Sequence, residues 1–129
     1  MVEDIRSELY YTSEHEWVSI KGRKARIGIS DHAQAALGDI TFIELPAVGD
    51  SADMGEIIAN VESVKAASDV YSPVTGNVSA VNAALNDKPE LLNSAPYDEG
   101  WICEVELSED IDKDELMNAK AYKEYLETL

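Results

Sequence analysis

The sequence predicts a mainly β protein, an antiparallel sandwich or flattened barrel with one short internal helix and one C-terminal helix. Three observations predict it. Apolar residues recur at every second position over most of the chain, and the runs are strand-sized and broken by Gly, Pro, Asn and Asp. Only after Asp112 does the composition turn to Glu, Lys, Ala, Leu and Met. At 129 residues the chain has the length of one domain, 1–129.

Taken in order, Trp17, Val18 and Ile20 form a first strand run, and Ala25 to Ile29 a second that alternates inward and outward. Ser30-Asp31 offers an N-cap for a short helix from His32 to Leu37, and Gly38 supplies the stop. Ile40 to Leu45 returns to strand and ends at Pro46. Further strands are expected over Glu56 to Val61, Val70 to Val74 and Asn77 to Val81. Asn82 to Gly100 reads as an ordered loop, with Leu85, Leu91, Leu92 and Tyr97 to bury. Trp101, Cys103, Val105 and Leu107 alternate with Ile102, Glu104 and Glu106, which puts Cys103 on the apolar face of a strand. In the segment 112–129, Leu116, Tyr122, Tyr125 and Leu126 share one helical face.

Composition excludes several function classes. A formal net charge of −16 repels phosphate backbones and anionic lipid, so neither nucleic acid nor a membrane surface is an expected partner. With 45% hydrophobic residues the chain has enough apolar surface to close a core. Cys103 is the single cysteine, which leaves no internal disulfide and suits a reducing compartment. Glu3, Asp4, Glu8 and Glu14 stand against Arg6 in the first fourteen residues, unlike a signal or Arg-rich transit peptide, and no apolar run approaches the roughly 20 residues that span a bilayer. A cytoplasmic protein is the expectation.

The centre of the chain carries the chemistry. Lys65 lies ten residues after Gly55 and eleven before Gly76, so two strands of similar length frame it and place it at a hairpin tip. Its neighbours Val64, Ala66, Ala67 and Ser68 are compact, which leaves the ammonium free to project on a long stem. A tip normally carries Asn-Gly or Asp-Gly; this one carries Val-Lys-Ala. Periodicity leads to an exposed, symmetrically framed lysine and does not say what is attached to it.

The residues from Glu62 to Gly76, ESVKAASDVYSPVTG, resemble the lipoyl-attachment motif of the glycine cleavage system H protein family. The resemblance extends along nearly the whole chain. His15-Glu16-Trp17, Gly28 to Gln34 followed by Leu37-Gly38-Asp39, Phe42 to Pro46, and Asn93 to Tyr97 with Gly100-Trp101 fall in the family's order and spacing. Related biotinyl domains present Met-Lys-Met, and lipoyl domains of 2-oxo acid dehydrogenases usually present Asp-Lys-Ala.

The resemblance implies a barrel-sandwich hybrid fold and a covalent lipoate on Lys65, in amide linkage. It implies a non-catalytic carrier whose partners are the P protein (glycine decarboxylase), the T protein (aminomethyltransferase), the L protein (dihydrolipoyl dehydrogenase) and the lipoyl-attaching enzymes. The aminomethyl group taken from glycine at the P protein ends in a cationic amine, which a carboxylate in a partly desolvated cleft would hold. Glu16 and Asp69 occupy positions that the family associates with that cleft, and the serine often found two residues before the glutamate is Glu14 here. An H-like protein that relays lipoyl groups to other acceptors would need the same arm.

Other polar residues offer less. His15 and His32 are not spaced as a helical ligand pair and no third ligand is fixed near either, so no metal site is expected. His15 is read as packing or hydrogen-bonding around Trp17, and a small enzyme built on His15 and Glu16 would show itself by turnover without Lys65. Ser13, Ser30, Ser63 and Ser72 lack a Gly-x-Ser-x-Gly elbow, and the seven glycines form no phosphate loop.

Overall fold

Two antiparallel sheets share one apolar core in the computed structural model, which describes residues 4–111 and 113–129 apart from the side chain of Lys113. The strands are β1 (Tyr10–Tyr11), β2 (Glu16–Lys21), β3 (Lys24–Ile29), β4 (Ile40–Glu44), β5 (Ser51–Ala52), β6 (Ile57–Ser63), β7 (Ala67–Tyr71), β8 (Gly76–Val81) and β9 (Cys103–Leu107). The helices are α1 (Asp31–Leu37), α2 (Ala84–Asp87), α3 (Leu91–Ser94) and α4 (Ala119–Leu126), with a 3-10 turn at Lys113–Glu115. The larger sheet runs β1-β2-β3-β9-β8-β5 and the smaller β4-β6-β7.

Alternation explains the core. Val18, Ile27, Val78 and Val105 of the larger sheet join Ile43, Val61 and Val70 of the smaller, all at most 2% exposed. Leu85 of α2 and Leu92 of α3 belong to the same cluster. Burial of each such side chain contributes roughly 1.5–3 kcal/mol before entropy is counted. Cys103 lies in this core, fully buried, and burial pushes its thiol up to about 12, with Glu104 adding to the shift. It is a packing residue, as its place on the apolar face of a strand implies.

The start of β2 is buried on both faces. Val18 enters the main core, whereas Trp17 enters a second cluster with Leu9, Tyr11, Tyr97 and Tyr122. Gly28 is the cross-strand partner of Trp17. A side chain there would put its Cβ 2.6 Å from the indole, so the glycine leaves the space the ring fills. The indole N–H donates to the Pro96 carbonyl at 2.9 Å, and the rings of Tyr11 and Tyr122 stack 4.3 Å apart at an interplanar angle of 1°.

Several boundaries differ from the sequence reading. The strand expected over 70–74 ends at Tyr71, because Ser72 Oγ donates to the Val74 carbonyl at 2.6 Å and accepts the Val74 N–H at 3.3 Å. That local loop, with Pro73 inside it, turns the chain out of the ladder. The loop from 82 to 100 contains α2 and α3. The C-terminal helix starts at Ala119, where Asn118 accepts the Ala121 N–H at 2.8 Å. Upstream of it Met117 exchanges backbone hydrogen bonds with Tyr11 at 2.7 and 2.8 Å, and Asp112 lies outside the described residues. The two-residue strands β1 and β5 carry too little periodicity to be foreseen.

Gly28→Ala is expected to cost about 2 kcal/mol through overpacking against Trp17. Urea unfolding checks this as a lower midpoint at unchanged slope.

Candidate functional site

Lys65 stands at the tip of the β6–β7 hairpin, which closes by Ser63 N–H to Ala66 O at 2.8 Å. The turn has no Asn-Gly because Ser63 does the organising. Its hydroxyl donates to the Ala66 carbonyl at 3.2 Å and accepts the Ala66 N–H at 3.1 Å. From outside the hairpin, Val64 N–H donates to the Asp39 carbonyl at 3.0 Å, which ties the tip to the chain just after α1.

The Lys65 stem lies across Gly38. A Cβ at position 38 would sit 3.3 Å from Lys65 Cε and 3.9 Å from Nζ, and Gly38 holds φ +79° as the helix C-cap. A glycine thus meets two demands, the positive φ of the cap and the closeness of the stem. Asn93 braces this platform: its amide donates to the Gly38 carbonyl at 2.8 Å and to Gln34 Oε1 at 3.1 Å, and its oxygen accepts the Ile40 N–H at 2.9 Å. Lys65 is exposed and, among the described residues, no ion pair restrains its amine. The residues present therefore fit a covalently attached arm: an accessible amine on a fixed turn, with a glycine at 38 where a side chain would press on the stem.

Glu16, the first residue of β2, is 2% exposed. Its carboxyl reaches from the larger sheet to the smaller one. Thr12 Oγ1 donates to Oε1 at 2.6 Å, and the Tyr71 N–H at the end of β7 donates to Oε2 at 3.2 Å. β7 is an edge strand, so its backbone has donors to spare. Desolvation lifts the Glu16 pKa from its ordinary 4.5 to about 7; the two hydrogen bonds oppose the rise and the charge of Glu14 adds to it. A cleft of about 320 Å³ opens beside it, walled by Thr12, Glu14, Met54, Tyr71 and Glu115 among others.

Asp69 is not among the residues lining that cleft. It lies on β7 between Lys65 and Tyr71, exposed, and accepts a hydrogen bond from Asn60 Nδ2 at 2.9 Å. His15 bonds Tyr122 rather than packing on Trp17, with Nδ1 2.8 Å from the hydroxyl. The rings of His15 and His32 approach to 4.4 Å, yet among the described residues no group of three or more potential ligands forms a metal site. Thr12, Gly38, Tyr71 and Asn93 are the site residues that sequence reasoning missed. Thr12 and Tyr71 act through contacts across the turn and between sheets, which no local pattern signals. Asn93 sits inside a recognised motif without a role, and Gly38 has a role in the sequence reading only as the stop of the short helix.

A group whose folded pKa stands above its unfolded one binds its proton more tightly in the native state, so stability falls as pH rises from about 4.5 through 7. For Glu16 the cost above pH 7 is on the order of 3 kcal/mol. Glu16→Gln escapes this titration. Urea unfolding at a series of pH values is expected to show the variant gaining on the wild type between pH 4.5 and 7 and levelling off above; a constant difference contradicts the burial argument.

Comparison with known proteins bears on the same residues. The family model described as glycine cleavage H-protein matches residues 9–129. The glycine cleavage system H protein of Halalkalibacterium halodurans is 49% identical over 123 residues, covering 95% of this chain and 96% of that one. The corresponding protein of Stenotrophomonas maltophilia is 51% identical over 125 residues, covering 96% and 95%. The crystal structure of a glycine cleavage system H protein from Mycobacterium marinum matches with a TM-score of 0.83 at 35% identity, covering 96% of this chain and 98% of that one. The β-rich sandwich with its C-terminal helix and the agreement along the sequence lead to one conclusion: the chain belongs to the glycine cleavage H-protein family, the non-catalytic lipoyl carriers of the glycine cleavage system.

Proposed function

We propose that Lys65 is the residue that carries lipoate, through an amide at Nζ, and that this chain serves the P, T and L proteins of the glycine cleavage system in turn. The observation that carries the reading is the Lys65 amine at the tip of a braced hairpin, its stem resting on Gly38. When bound, the lipoyl group supplies a dithiolane that takes up and gives back carbon and electrons on a tether. The chain's own part is mechanical and electrostatic.

Ser63 and Asp39 hold the base of the tether still, so the reach of the arm is set by covalent lengths. Attachment through an amide removes the formal charge of Lys65, which takes the formal total from −16 to −17. The cleft beside Glu16 suits the cationic amine derived from glycine. Glu14, Glu16 and Glu115 all border it, and a buried carboxylate attracts a cation more strongly than one in bulk water. Asp69 lies along the strand that joins Lys65 to this cleft and attracts the same charge on the way. With Glu16 near neutrality, the carboxylate that does the holding is present above about pH 7 and is lost as pH falls below it. Residues 1–129 act as one carrier domain. The single buried thiol Cys103 supports a reducing compartment, and the cytoplasm is the proposed location.

Intact mass of protein made in a lipoylating host is expected to rise by one lipoyl group, and Lys65→Arg to abolish the rise; an unmodified wild type contradicts the reading. Glycine–bicarbonate exchange with a cognate P protein separates glycine turnover from a lipoyl relay. Glu16→Gln is expected to keep lipoylation but to shorten the lifetime of the amine on the isolated loaded protein about tenfold at pH 8. Wild type should approach that short lifetime as pH falls from 8 to 6.

A further inference from the structure

Glu16 leaves a tight turn whose shape depends on one residue in an unfavourable conformation. His15 has φ 69°, and it alone among the described non-glycine residues lies in the left-handed region. For a residue with a side chain this conformation has a cost that neighbouring contacts must offset. The conformation closes the turn: His15 N–H donates to the Thr12 carbonyl at 3.1 Å and Thr12 N–H to the Glu16 carbonyl at 3.0 Å. In the turn so closed, Thr12 Oγ1 donates to the Glu16 carboxyl at 2.6 Å.

Contacts from two helices offset that cost. His15 Nδ1 is 2.8 Å from the hydroxyl of Tyr122 on α4, and Tyr125, one turn further along α4, donates its hydroxyl to the Ser13 carbonyl at 3.4 Å. The His15 carbonyl accepts the N–H of Ser30, the N-cap of α1, at 2.9 Å. The Tyr122 hydroxyl, fully buried, is 2.8 Å from Ser30 Oγ as well, so one phenol joins α4, the α1 cap and the Glu16 turn. Stacking on Tyr11 fixes the direction in which that phenol points.

We infer that Tyr122 is a positioning residue for Glu16: by holding His15 in the left-handed region, the C-terminal helix keeps the Glu16 carboxyl on the Tyr71 amide and at the wall of the cleft. The placement stands on geometry, and only its consequence for the carried amine rests on the carrier reading.

The Tyr71 amide reports the placement directly, because Glu16 Oε2 is its acceptor. Amide hydrogen exchange is measured on the full, unmodified chain. Tyr122→Phe keeps the ring stack and removes the hydroxyl; it is expected to speed Tyr71 exchange about tenfold while the Val61 amide in the central strand β6 is unchanged. His15→Ala is expected to do the same. Adding His15→Gly to Tyr122→Phe is expected to restore Tyr71 protection, since glycine adopts φ 69° without help. Unaltered Tyr71 exchange in Tyr122→Phe overturns the inference, and so does a loss that His15→Gly leaves unrepaired, which would mean that Tyr122 only anchors α4. On lipoylated, loaded protein the amine lifetime should follow the same order. If Tyr71 responds as described while that lifetime is the same in every variant, Glu16→Gln included, the positioning stands and the holding role of Glu16 falls.

Discussion

A carboxyl group in the seam between two sheets is the constraint on which the arrangement of this molecule turns. Glu16 begins β2 in the larger sheet and accepts a hydrogen bond from the end of β7 in the smaller one. An ionisable group with 2% exposure must have its hydrogen-bonding capacity met, and the surroundings are built to meet it: Thr12 turns its hydroxyl inward, and an edge strand lends an amide. Among the described residues no buried side-chain polar atom is left without a partner. The Lys65 tip is the far end of the hairpin that β7 completes. One five-residue strand therefore relates the Lys65 tip to the cleft.

Charge is distributed with similar purpose. Acidic side chains predominate overall and border the Glu16 cleft, whereas Lys21, Lys24 and Arg26 gather at the distal end of the β2–β3 hairpin with Arg6, around a groove of about 300 Å³. There Glu104, 12% exposed, pairs with Arg26 at 2.9 Å and Lys24 at 3.8 Å, and the Arg26 guanidinium lies 4.7 Å over the Trp101 ring. Arg6, Lys24 and Arg26 of this group are engaged in ion pairs, and the net charge of −16 makes the field met by an approaching partner that of the acids, which speeds encounter with basic surfaces without a tight interface.

Much of this was legible before the fold was known. The period-2 runs, the Ser30 cap and Gly38 stop of α1, and the framing of Lys65 between Gly55 and Gly76 are local signals, and the structure places those elements within a residue or two, except that β7 runs over 67–71 where 70–74 was expected. The end of β7 was not legible, because Val70 to Val74 keeps an apolar rhythm through Ser72-Pro73 and only the Ser72 side-chain bonds show the turn. The start of α4 was obscured in the same way: the helix-forming composition begins at Asp112, but pairing of Met117 with Tyr11 delays the helix to the Asn118 cap. Glu16 is the instructive case. Its place in a motif pointed to a cleft, yet its burial depends on β7 from across the seam and on the left-handed turn at His15, and neither contact has a signature in neighbouring residues. Asp69, from the motif around Lys65, remained on the surface.

The Glu16 to Tyr71 hydrogen bond also bears on self-association. β7 is the outer strand of a short sheet, and an open strand edge is a template for pairing with another chain. Here one of the edge donors is occupied by a side chain that belongs to the other sheet, and the exposed Asp69 stands two residues before it. A second strand cannot pair with the Tyr71 end of β7 without first pulling a buried carboxyl out of the seam. The contact that fixes the cleft is therefore also a stopper at one end of an open sheet edge.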